Sequence, residues 1–144
     1  MTGNRMRVLV AFLAVLFGAA VAPPAGAQSA GDVSTIAMNA VSGRVAVGMT
    51  VELYEVSGDT LRPITRAVTG DDGRAALIPT GPLPLGSYEL RFQMAEYFRR
   101  EGIFVGEPAV IDYAPVRFSI TDPRGHYHVP LICTPWGYTT YRGS

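Results

Sequence analysis

Met49-Thr50-Val51-Glu52-Leu53-Tyr54-Glu55-Val56, followed at once by Ser57-Gly58-Asp59, sets the pattern for the whole chain. The run has a period of two. Val51, Leu53 and Glu55 share one side, while Glu52, Tyr54 and Val56 share the other, as on a strand with one buried face. Ser-Gly-Asp is a turn signal, so the strand is expected to fold back as a hairpin with Leu61–Thr69. The same grammar recurs on either side. Ser34–Ala40 alternates and ends at Ser42-Gly43. Gly70-Asp71-Asp72-Gly73 is a further turn, and Ser87–Phe92 alternates again. Pro108–Ile120 holds another strand, in which Pro115 argues for an edge or a bulge. His126–Cys133 and Tyr138–Arg142 form a last pair around Thr134-Pro135-Trp136-Gly137. Only Met94–Arg100 reads as helix. It spans about two turns and closes near Gly102, a suitable left-handed stop. Seven or eight short strands cut by turns predict an all-β, antiparallel β-sandwich with one short helix.

The composition agrees. The 144 residues suit one domain. Hydrophobic residues make up 48% and charged ones 17%, the balance of a chain that folds. All twelve basic residues are arginine, and they are matched by twelve acids. A nucleic-acid binder needs a basic excess, which this chain lacks. The one cysteine, Cys133, cannot close an internal disulfide or build a thiolate zinc site, and it reads as a small buried residue.

Residues 1–27 fall outside this pattern. Arg5 and Arg7 precede an apolar run from Val8 to Ala22, and Ala25-Gly26-Ala27 is a small-residue cleavage site. That is the layout of a secretory signal peptide. An uncleaved N-terminal anchor is the alternative. Cleavage near Gln28 leaves residues 28–144 as the mature domain, with ten arginines against twelve acids. It sends the protein to the periplasm or outside the cell, free of the membrane.

Chemistry concentrates near the other end. Both histidines, His126 and His128, stand two apart on a predicted strand, so they point to the same side. Two imidazoles there suit acid–base work, although a strand surface also carries histidines with no role. Asp71-Asp72-Gly73-Arg74 sets a guanidinium beside a glycine turn. It can clamp a planar anion or merely meet solvent. Tyr97, Phe98 and Trp136 read as core or interface, and Arg99-Arg100 as a solvated helix end. A strand pattern running on to Ser144 suggests that the tail sits somewhere specific.

His126-Tyr127-His128-Val129-Pro130-Leu131, Gly137-Tyr138-Thr139-Thr140 and the final Tyr141-Arg142-Gly143-Ser144 make the sequence resemble the transthyretin-like family, in its hydrolase branch. Ser42-Gly43-Arg44, Asp72-Gly73-Arg74, Gly86–Leu90 and Tyr97-Phe98 add to the likeness, which spans Ser34 to Ser144. The resemblance implies an eight-stranded sandwich with a short helix after the fifth strand, and a homotetramer with sites in the channel between dimers. It further implies hydrolytic opening of the 5-hydroxyisourate ring in urate breakdown, without an organic cofactor. On that basis Arg74 binds and polarises the substrate, and His126 positions or activates water. His128, Tyr141, Arg142 and Ser144 line the site.

One position departs. The family opens its first strand with a histidine, and the matching residue here is Ile36, followed by Asn39 where the family carries aspartate or asparagine. Isoleucine cannot accept a proton, and losing an acid–base group typically costs about 10²–10⁴ in rate. A hydrolase working through His126, a relative acting on another small ring, and a non-catalytic binder of a planar ligand are the competing expectations. His126, His128 and the Ser144 carboxylate without that histidine make a poor metal set, so no required metal is expected.

Overall fold

The computed structural model describes residues 30–81 and 83–144. The expected signal peptide and its expected cleavage site lie outside the described residues. Ten strands and one helix follow in order: β1 (Gly31–Asn39), β2 (Arg44–Val45), β3 (Thr50–Ser57), β4 (Thr60–Val68), β5 (Arg74–Gly81), β6 (Gly86–Phe92), α1 (Met94–Arg100), β7 (Ala114–Ile120), β8 (His126–His128), β9 (Leu131–Thr134) and β10 (Gly137–Thr140). Val129 and Pro130 interrupt β8 and β9, which otherwise continue one another. Counting them as one strand and setting aside the two-residue β2 gives the expected eight.

The strands form two sheets. One runs β4-β3-β6-β7; in the other, β1 sits centrally and pairs with β2, β5, β8 and β9, and β10 closes the β9 side. The predicted hairpin is β3–β4, with Ser57 opposite Thr60, and α1 matches its predicted span. Pro115 lies on β7, an edge strand, as its missing N–H requires. The strands are not all antiparallel, however: β1 runs parallel to both β8 and β9.

Alternation fills the space between the sheets. Val51 and Leu53 of β3, Leu90 and Phe92 of β6, and Val33 and Ala37 of β1 are fully buried. Met94 and Phe98 of α1 are equally buried, and Tyr97 accepts a 3.2 Å hydrogen bond from Asn39 Nδ2. Cys133 is buried as expected, and burial pushes its thiol up to about 12. Of the two expectations for Trp136, core or interface, exposure removes the first: the β9–β10 turn leaves it 59% exposed.

The β4–β5 turn also locks the core to the site. Gly73 has φ +74°, and an added Cβ would lie 2.6 Å from Val45 Cβ and 2.9 Å from the Ala37 carbonyl oxygen. Its own carbonyl accepts from the Ala37 N–H at 2.9 Å. Gly73→Ala is therefore expected to cost at least about 1–3 kcal/mol from the backbone conformation alone, and the overlap adds to it. Chemical denaturation measures this, and a stability equal to the native protein's would contradict it.

Candidate active site

The site is a consequence of how β1 alternates. Val33, Thr35, Ala37 and Asn39 point into the core, so Asp32, Ser34, Ile36 and Met38 line the outer face. Thr35, a polar residue on the inner side, is satisfied by donating to the Val129 carbonyl at 2.6 Å. On one flank of β1 the parallel β8 sets His126 beside Asp32 and His128 beside Ser34. On the other flank the antiparallel β5 sets Ala76 beside Ser34 and Arg74 beside Ile36. Neighbouring strands lie about 4.8 Å apart. Three strands thus carry His128, Ser34, Ile36 and Arg74 onto one small area of outer face.

Arg74 is held there by its turn. Its N–H donates to Asp72 Oδ1 at 3.0 Å, and its carbonyl accepts from the Gly70 N–H at 2.9 Å. Asp72 therefore shapes the turn through a backbone bond, and the guanidinium projects from the exposed side of β5.

The two histidines differ. His128 is partly buried, and its Nδ1 shares a 3.0 Å hydrogen bond with Ser34 Oγ. Burial, followed by the nearby Arg74 charge, pushes its pKa below 6.5, and Asp32 opposes that shift. His126 is exposed, and its Nδ1 pairs with Asp32 Oδ1. Both imidazoles share the predicted side, but only His128 has been drawn out of solvent.

The tail folds back over that ring. Gly143 forms an antiparallel bridge with His128 and donates its N–H to the His128 carbonyl at 2.9 Å. A Cβ at Gly143 would overlap His128 Cδ2, so only glycine fits against the imidazole. Ser144 follows directly and is thereby carried to the same edge. Tyr141 and Arg142 line a cleft of about 240 Å³ with His128, Tyr127, Val116 and Phe118, between β7 and the tail. The Arg142 guanidinium lies 5.9 Å from the Tyr127 ring centre. Arg74 and His126 do not reach that cleft. The chain thus collects Arg74 and His128 on one face, with Ser144 at its edge. His126 is tied to Asp32, and Tyr141 and Arg142 stand on the adjoining flank.

Asp32 and Ser34 escaped the sequence reading. Their partners are each 94 positions away, the constant offset of a parallel pairing. Their only local signal is their two-residue spacing ahead of Ile36.

A transthyretin-type β-sandwich with an arginine–histidine site on the outer face of its larger sheet is the class that fold and geometry define. Residues 33–143 match the model of the HIUase/Transthyretin family. The 5-hydroxyisourate hydrolase of Deinococcus radiodurans is 46% identical over 113 residues, covering 77% of this chain and 94% of that protein. The solved 5-hydroxyisourate hydrolase of Klebsiella pneumoniae superposes with TM-score 0.67 at 32% identity, covering 79% of this chain and 99% of that one. A solved (S)-allantoin synthase gives TM-score 0.69 at 32% identity; the match covers 81% of this chain but only 45% of the synthase. The chain belongs to the HIUase/Transthyretin family, as its C-terminal motif led us to expect.

Proposed function

We propose that this chain is a hydrolase that opens the ring of 5-hydroxyisourate in urate catabolism. The observation that carries this reading is the convergence of Arg74 and a partly desolvated, neutral imidazole, His128, on one face beside the returning tail. Relatives named as hydrolases of this substrate support it.

Hydrolysis of a cyclic amide adds water to a carbonyl carbon. The ring C–N bond breaks, the carbon keeps the new oxygen as a carboxylate, and the nitrogen leaves with a proton. Arg74 offers planar, fixed donors to the carbonyl oxygen where negative charge develops. His128 Nε2 takes a proton from the attacking water and returns one to the departing nitrogen. The water and the side chains supply the whole reaction, with no organic cofactor and no metal. We assign this role to His128 where the sequence expectation named His126, because His128 is the partly buried ring near Arg74, whereas solvent surrounds the His126 ring. His126 then stands at the rim, and Ser144 borders the site. Tyr141 and Arg142 shape its flank from the adjoining cleft.

A second reading is favoured by one residue. Ile36 stands beside Arg74 and two residues along β1 from Ser34, the partner of His128, at the position where the resemblance to the family implies a histidine. An apolar group there suits a weakened enzyme or a binder of a planar ligand. Ile36→His is expected to raise turnover, and an unchanged rate would mean that the site works without that group.

Export to the periplasm and assembly as a homotetramer, with sites facing the channel between dimers, complete the proposal. The edge strands β7 and β10 and the exposed Trp136 and Tyr138 support assembly. The decisive test mixes purified protein with freshly generated 5-hydroxyisourate and follows ultraviolet absorbance. Decay faster than in buffer supports the hydrolase, and decay equal to buffer leaves the binder.

A further inference from the structure

We propose that Ser34 is a positioning residue that fixes the tautomer of His128, holding hydrogen on Nδ1 so that Nε2 presents a free lone pair to the reacting water. This rests on the hydrolase reading above for its kinetic consequence, but not for its structural one. Ser34 Oγ bonds His128 Nδ1 at 3.0 Å and makes no other protein hydrogen bond among the described residues. The ring cannot swing away from it. Gly143 packs against the Cδ2 edge, the Gly143 N–H fixes the His128 carbonyl, and the Val129 N–H donates to the Ser34 carbonyl at 3.0 Å. Nδ1 is therefore committed to the hydroxyl, and Nε2 is the nitrogen left for substrate.

Which nitrogen of a neutral imidazole carries hydrogen is set by the partner of the other. A base at Nε2 needs Nδ1–H, and Ser34 Oγ is the acceptor placed to stabilise it. Its own hydroxyl hydrogen stays available to water or substrate. A hydroxyl suits this site for a second reason. A carboxylate on Nδ1 would favour the imidazolium, whereas burial and Arg74 keep this ring neutral. The charged groups around His128 are Arg74 from β5 and Asp32 from β1, with His126 on its own strand, Arg117 of β7 and Arg142 of the tail on the shared cleft, and Ser144 next to the bridging Gly143.

The test uses the mature protein with Ser34→Ala and Ser34→Thr. Nitrogen-15 spectra of the imidazole assign the tautomer without any turnover. The native ring and Ser34→Thr are expected to show the Nδ1–H form, and Ser34→Ala to shift toward Nε2–H. In the absorbance assay Ser34→Ala should lower kcat by about 10–100-fold with KM little changed, and Ser34→Thr should recover most of the loss. A native ring in the Nε2–H form, or Ser34→Ala leaving both tautomer and kcat unchanged, overturns the assignment. A native protein without turnover whose tautomer still depends on Ser34 overturns the hydrolase reading and upholds this one.

Discussion

Arg74→Ala is expected to lower kcat/KM for 5-hydroxyisourate by about 10²–10³-fold, the usual loss when a donor to a developing oxyanion is removed. No other cation comes from β1, β5 or β8 to this patch of outer face. Its partner across the sheet is Ile36, and Ala76 and Ser34 form the next outward-facing pair along the strands; none of the three carries charge. Arg74→Lys should fall in between, because an ammonium keeps the charge but loses the planar fork of donors. The absorbance assay reads both variants. The turn itself should survive, since it is built by Gly73 and by backbone bonds to Asp72 and Gly70. Native-like rates in Arg74→Ala would place the reaction elsewhere on the molecule.

His128→Asn should cost about 10²–10⁴-fold in kcat, and His126→Asn far less. The pair of variants separates two imidazoles that the spacing alone leaves equivalent. The pH profile gives a second handle. Burial and Arg74 lower the His128 pKa, so the base stays neutral into mildly acidic solution. The acid limb of kcat/KM should therefore have its midpoint below 6.5, the ordinary histidine value. The sign for stability follows from the same shift. The unfolded chain binds the proton more readily than the folded one, so stability declines as pH falls below 6.5. An acid limb at or above 6.5, or equal losses in the two variants, would return the catalytic role to His126 or divide it.

Much of this was legible in the sequence because it is local. The β3–β4 hairpin rests on alternation and a Ser-Gly-Asp turn within one short stretch, and α1 on a single pattern with a glycine stop. The Gly70–Gly73 turn announced Arg74 in the same way. What stayed hidden depends on pairing across the chain. Alternation sets His126 and His128 on one side but does not say which has a carboxylate beside it. That follows only from the parallel register of β8 on β1, which gives Asp32 to one and Ser34 to the other. The cleft between β7 and the tail is similarly silent in sequence, since it joins strands from both sheets.

Strand β1 hands its odd-numbered residues to the interior and its even-numbered ones to chemistry. The two sets answer to different demands although they interleave. A replacement at position 36 leaves every packed residue of the strand untouched, so natural variation can rewrite what the surface does while the scaffold stays intact. A slip by one position would do the opposite, presenting Val33 and Thr35 to the ligand and driving Asp32 and Ser34 inward. New function in this architecture is therefore reached by point replacement along one column, without insertion or deletion in that strand.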